Sequence, residues 1–224
     1  MTPLLQDGSS ILFIGNSLTF SGGGVDNALA ALAASAGLNL RCGRQTVGGY
    51  WLHQHLQRPE TLAALREGRW DVVVLHEQSK GPISDRASFF AAGRGLAKIA
   101  RENSGQPVLY MTWTYREDHA GVSVADRAMT RGLAEAYNAL GAELQAPVVP
   151  AGLAFQAGLD QGLDLYSDVK HQNEAGTYLV ACTFFGFLCG RTPVGLNYAH
   201  GLDAAAARRL QEIAWQNLGN PPGA

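Results

Sequence analysis

Short apolar runs rich in β-branched residues recur along this chain, with helix-length stretches between them, and that alternation constrains the fold most. Val72–Leu75 reads VVVL, apolar on both faces of a strand, which suits a parallel strand covered by helices above and below. The alternation predicts a three-layer α/β/α sandwich around a mainly parallel, five-stranded sheet. Strands are expected at about Ser10–Ile14, Leu38–Gln45, Val72–His76, Pro107–Thr112 and Pro147–Val149. Helices are expected at about Val25–Ala36, Glu60–Glu67, Arg86–Arg101, Ala125–Gln145, Gly152–Leu159, Glu174–Cys189 and Asp203–Leu218. A chain of 224 residues, 46% of them hydrophobic, is ample for one such core and short for two. Residues 1–219 are therefore expected to form one domain, with Asn220–Ala224 as a short tail.

Composition excludes several classes of function. A formal net charge of −2 with dispersed basic residues leaves no electrostatic footprint for nucleic acid or an anionic membrane. Cys182 and Cys189 stand seven apart in one expected helix, a rise of roughly 10 Å, beyond the ~7 Å over which two Cα atoms can be bridged. Free thiols in a reducing compartment are the simpler account of the three cysteines. The start, MTPLLQDGSS, lacks the basic and long apolar regions of a secretory leader, and no window approaches a membrane span, so a cytoplasmic location is expected.

The residues that carry chemistry stand at opposite ends of the chain. Ile11–Thr19 reads ILFIGNSLT, an apolar run ending in Gly15-Asn16-Ser17. A glycine there lets the backbone turn sharply and presents Ser17 at the carboxyl edge of the sheet, where open α/β sheets bind ligands. Ser17 is a candidate nucleophile, the alternative being the N-cap of the next helix. Leu165–His171 reads LYSDVKH, with Asp168 three residues before His171 and ahead of an apolar helical stretch. A serine hydroxyl needs a base, and an imidazole serves as one when a third group fixes its tautomer and supports its charge. Asp168 can do that for His171 from the same loop.

These blocks resemble those of the SGNH (GDSL-like) hydrolases. Gly15-Asn16-Ser17-Leu18 resembles the family's first block with asparagine in place of aspartate, and Asp168-Val169-Lys170-His171 resembles its last, Asp-x-x-His. Thr46-Val47-Gly48-Gly49 is similar to the second block, whose glycine offers a backbone N–H to the oxyanion, Gly49 being the better match. The third block departs: in place of Gly-x-Asn-Asp the chain has His76-Glu77-Gln78-Ser79, an EQS variant that resembles one branch of SGNH-like proteins. Gln78 is the nearest substitute for the missing oxyanion asparagine, with the same carboxamide on a stem one methylene longer. The resemblance implies an SGNH, flavodoxin-like fold and a serine esterase acting on a small-molecule ester, with Ser17, His171 and Asp168 as catalytic residues. The oxyanion donors would be Ser17, Gly49 and Gln78, and no cofactor is implied. An acyltransferase on the same site, or a non-catalytic carbohydrate- or ligand-binding module, are the alternatives.

Further residues have both a functional and a bland reading. Trp113, at the carboxyl end of the fourth strand, and Trp51, after Gly49, are candidates to wall a substrate pocket or to pack against loops. His76 is a candidate donor to oxyanion or substrate, or a half-buried histidine at a strand end. His53 and His55 have metal-ligand side chains, but no Cys/His cluster completes a zinc site, so a loop or helix start is expected and no metal. Gly22-Gly23-Gly24 lacks the pattern of a phosphate cradle and reads as a flexible loop beside Ser17. Thr19 stands where a G-x-S-x-G elbow has glycine, which argues against the ordinary α/β-hydrolase fold.

Overall fold

The computed structural model describes residues 3–119 and 122–218. The first apolar run forms β1 (Ser10–Gly15), buried along its length. It pairs in parallel with β2 (Arg41–Thr46) on one side and β3 (Val72–Leu75) on the other. Next to β3 lies β4 (Gln106–Tyr110). An antiparallel hairpin follows, β5 (Arg116–His119) and β6 (Val122–Ala125), before β7 (Val148–Val149) completes a sheet of order β2-β1-β3-β4-β7. All four pairings in that sheet are parallel, as the alternation of strands and helices requires.

Helices α1 (Ser17–Phe20) and α2 (Val25–Ser35) connect β1 to β2, and α3 (Leu52–His55) and α4 (Pro59–Glu67) lead to β3. They are followed by α5 (Gly81–Ser84) and α6 (Arg86–Glu102) before β4, and by α7 (Arg127–Leu144) before β7. The chain continues through α8 (Ala151–Asp160), α9 (Glu174–Cys189) and α10 (Ala204–Gln216). Because successive strand residues point to opposite faces, the sheet divides the core in two. Ile11, Phe13, Val74 and Tyr110 pack with α2, α8, α9 and α10, whereas Leu12, Ile14, Val73 and Leu75 pack with residues of α3, α4, α6 and α7. Each fully buried side chain of this size contributes about 1.5–3 kcal/mol. Helix α9 is apolar nearly all round because it is enclosed by α2, α8 and α10 as well as the sheet.

Side-chain caps fix where the helices begin. Asp126 accepts the N–H of Met129 at 2.9 Å and Asn173 that of Gly176 at 3.0 Å, each worth about 1 kcal/mol. The Asp126 cap starts α7 two residues after the expected Ala125, which instead pairs in β6. That hairpin was not foreseen, since REDH and VSVA show no apolar alternation long enough to mark strands. The second strand begins at Arg41 and not Leu38, because Asn39 is held by Asp7 outside the ladder. The expected tail, Asn220–Ala224, lies outside the described residues.

Cys42, Cys182 and Cys189 are free thiols, and burial pushes Cys42 and Cys189 up to about 12, so neither offers a ready thiolate. Among the described residues no helix is long and apolar enough to cross a membrane.

Candidate active site

The carboxyl edge of β1 makes the turn that the glycine implied. A Cβ at Gly15 would overlap the ring of His76, at the end of β3. Without it, His76 Nε2 accepts the Asn16 N–H at 3.2 Å and the Thr19 hydroxyl at 2.8 Å. Burial pushes the His76 imidazole down to about 3, against the pull of the Glu77 backbone, so it is neutral and its Nε2 acts as acceptor. His55 Nε2–H donates to the Gly15 carbonyl at 2.8 Å and Gln172 Nε2 to the Leu18 carbonyl at 3.2 Å. Two buried histidines and a buried glutamine thus fix both flanks of Ser17.

Asn16 holds the turn from its side chain. Its Oδ1 accepts the Leu18 N–H at 3.3 Å, as the N-cap of α1. Its Nδ2 donates to the Tyr50 carbonyl at 3.0 Å and, more weakly, to that of Glu77 at 3.4 Å. One neighbour is a donor and two are acceptors, which fixes the orientation of the amide. Aspartate, the common residue of the resembling family, has no proton to give those carbonyls when ionised.

Ser17 lies 154 residues from His171, yet its Oγ is 2.8 Å from His171 Nε2. His171 Nδ1 is 2.7 Å from Asp168 Oδ2, so Nδ1 carries the proton and Nε2 is free to accept from the serine. Asp168 Oδ1 accepts the N–H groups of Lys170 and His171 at 2.8 and 2.7 Å. Partial burial works to raise the Asp168 carboxyl, but these hydrogen bonds from His171 and Lys170 outweigh it and hold it at about 2. An imidazole whose free nitrogen contacts a hydroxyl can take that hydroxyl's proton, and the ionised aspartate behind it stabilises the imidazolium formed.

The loop that carries this pair is tight and braced. Ser167 N–H donates to His171 O at 2.9 Å, Tyr166 pairs with Gln172, and Asn173 N–H closes on Leu165 O. The chain leaving β4 braces it: Trp113 Nε1–H donates to Lys170 O at 2.9 Å, Arg116 N–H to Val169 O at 2.8 Å, and Tyr166 donates to Thr114 O at 2.8 Å.

The other expected residues are distributed unequally. Gly49 follows β2 in a turn closed by Tyr50 N–H on Val47 O, with φ +74°, where a glycine is unstrained. Gln78 is half-buried just beyond β3. Trp113 does not wall a pocket: it is 1% exposed and stacks on Phe155 at 4.6 Å, so it buttresses the His171 loop from inside. His76 is fully buried beneath the turn, with Nε2 accepting, and is not placed to donate to an oxyanion. Trp51 is half-buried beside His53. His53 contacts Ser88 at the surface while His55 faces Gly15 inside, so the two do not share a ligand. Gly22, Gly23 and Gly24 all have positive φ, and the His200 ring donates to Gly22 O at 2.9 Å, so this loop is anchored.

The fold is a three-layer α/β/α sandwich with a serine just past the end of its first strand. No protein-family model matches the chain, and no curated protein matches it. Among solved structures, a DUF4886 family protein from Bacteroides uniformis is similar with a TM-score of 0.78, at 20% identity over 94% of each chain. A candidate SGNH hydrolase from Slackia heliotrinireducens has a TM-score of 0.66 at 29% identity, over 80% of this chain and 97% of that one. The acetyl xylan esterase AlAXEase has a TM-score of 0.63 at 17% identity, over 79% and 98%. The chain shares the fold of these proteins, and its likenesses support membership of the SGNH hydrolase superfamily and a hydrolase of that kind.

Proposed function

We propose that this protein is a serine-dependent hydrolase of carboxylic esters. The observation that carries the reading is the continuous chain of hydrogen bonds, 2.8 Å from Ser17 to His171 and 2.7 Å from His171 to Asp168. Ser17 Oγ attacks the ester carbonyl carbon while His171 Nε2 takes its proton. As the tetrahedral intermediate collapses, the alkoxide leaves with that proton as an alcohol, and Ser17 is left acylated. Water, deprotonated by the same nitrogen, then releases the acid and restores the serine. The developing oxyanion is assigned to the N–H of Ser17, which as the first of a helix has no intrahelical partner, to the N–H of Gly49 and to the Gln78 carboxamide. The name of the acetyl xylan esterase neighbour makes acetylated carbohydrates a sensible first substrate panel beside p-nitrophenyl acetate.

Labelling with a fluorophosphonate, mapped by mass spectrometry, should modify Ser17 alone. Ser17→Ala should lose the label and lower kcat on p-nitrophenyl acetate at least about 10³-fold with an unchanged far-UV spectrum. Retained turnover, or a label on Ser79, would refute the assignment.

A further inference from the structure

Glu77 takes no part in the proton transfer above, yet its side chain is entirely buried. Its Oε1 accepts the Gln78 N–H at 2.6 Å and the Leu52 N–H at 3.1 Å, with Oε2 at 3.3 Å from the same Leu52 nitrogen. Its own N–H donates to the buried hydroxyl of Tyr137 at 3.0 Å, and its carbonyl lies 3.4 Å from Asn16 Nδ2. Leu52 closes the loop that begins at Gly49, and Gln78 is the neighbouring residue on the chain leaving β3. One carboxyl therefore joins the two segments that carry the assigned oxyanion donors other than Ser17, and Asn16 ties both to the nucleophile turn.

We infer that Glu77 is a positioning residue, a buried clasp that holds the Gly49 loop and Gln78 at a fixed separation so that both meet the same developing negative charge. The inference rests on the hydrolase reading. Its physical ground is that a donor about one bond length out of place loses most of its value, since oxyanion donors act over about 2.7–3.1 Å. Burial pushes the Glu77 carboxyl up to about 7, the N–H groups of Gln78 and Leu52 pulling the other way. A carboxyl kept in so unfavourable a place leaves both backbone donors unpaired if it is removed.

The test is a double-mutant cycle of Glu77→Ala and Gln78→Ala on p-nitrophenyl acetate. Glu77→Ala should lower kcat about 10²-fold with KM within threefold. In the Gln78→Ala background the same change should cost only about tenfold, because the Gly49 N–H is then the one donor the clasp still positions. Glu77→Gln, whose amide oxygen still accepts both N–H groups, should recover activity to within tenfold of the wild type, and it replaces the alanine variant in the cycle if that one does not fold. Independently of turnover, amide exchange of Leu52 and Gln78 should rise in the alanine variant and not in the glutamine one. Multiplicative losses, a wild-type kcat in Glu77→Ala, or unchanged exchange would overturn the clasp. A wild type that neither hydrolyses esters nor labels at Ser17 would instead defeat the hydrolase reading, and the exchange measurement would still decide whether the clasp exists.

Discussion

Replacing Asn16 by aspartate changes one atom of a side chain that is 2% exposed, and the structure gives the consequence a sign and a size. The cap on Leu18 N–H survives, since either residue has an oxygen there. The other terminal atom, now an oxygen, meets the carbonyls of Tyr50 and Glu77 in place of the two N–H groups it had offered. An ionised carboxylate against two carbonyls in a buried site is strongly disfavoured, so the folded protein keeps the acid protonated and its one O–H donates to Tyr50 O. If burial raises the carboxyl by about 2–3 units above ~3.9, at ~1.36 kcal/mol per unit, the variant loses about 3–4 kcal/mol at pH 8. For a chain of this length each kcal/mol lowers Tm by about 2–4 °C, which gives a deficit of roughly 6–16 °C.

The direction with pH follows from the raised folded value. The unfolded chain releases the proton near ~3.9 while the folded chain retains it, so stability falls as pH rises from about 4 to the folded pKa and is level beyond. At pH 5 only about one unit of that gap has opened, for a loss near 1.5 kcal/mol and a deficit of about 3–6 °C. Far-UV thermal unfolding of both proteins at pH 5 and pH 8, compared as differences so that shared titrations cancel, measures the quantity directly. An equal deficit at the two pH values, or a variant within about 1 °C of wild type at pH 8, would refute the hydrogen-bond assignment of Asn16.

Two further substitutions test the chemistry. Asp168→Asn should lower kcat about 10⁴-fold: the two backbone N–H groups on Oδ1 leave the new amide nitrogen facing His171 Nδ1, which drives the ring proton to Nε2 and removes the acceptor for Ser17. Steady-state turnover checks this, and a loss under about tenfold would remove Asp168 from the mechanism. Gln78→Ala should lower kcat about 10²- to 10³-fold with little change in KM, the signature of a donor engaged mainly in the transition state. If kinetics show Gln78→Ala within a few-fold of wild type, the oxyanion is held by backbone N–H groups alone.

The ends of the site were legible in the sequence because their chemistry is written locally. Gly15-Asn16-Ser17 joins a buried strand to a turn within three residues, and Asp168 and His171 meet inside one hairpin-like loop. The strands and their parallel pairing were legible for the same reason: each apolar run reports its own burial, and the helices between them force parallel crossovers. The hairpin at Arg116–Ala125 was not, because its pairing depends on neighbours and not on an apolar face. Trp113 admitted two readings from the sequence, a pocket wall or packing against a loop, on a related ground. Its position at the carboxyl end of β4 suggested a pocket wall, but an indole that both stacks on Phe155 and donates to Lys170 O serves the loop from behind.

His76, Glu77 and Gln78 show most clearly why the third block could not be read from residue types. Chemical similarity to a carboxamide singled out Gln78, His76 stood as a candidate donor to oxyanion or substrate, and Glu77 between them offered no local reason to matter. Their contacts lie far away in the sequence: Gly15 admits the His76 ring, while Leu52 and Tyr137 hold Glu77. Both side chains are buried, and each accepts backbone N–H groups of a segment beside Ser17, so their value depends on where those segments stand and not on what they could do to a substrate. The departure from the resembling family is then coherent as a set. Asn16 donates to the Glu77 carbonyl, His76 accepts the Asn16 N–H and the Glu77 carboxyl accepts those of Leu52 and Gln78, so losing the side chain at 76 or 77 would leave buried backbone donors without a partner.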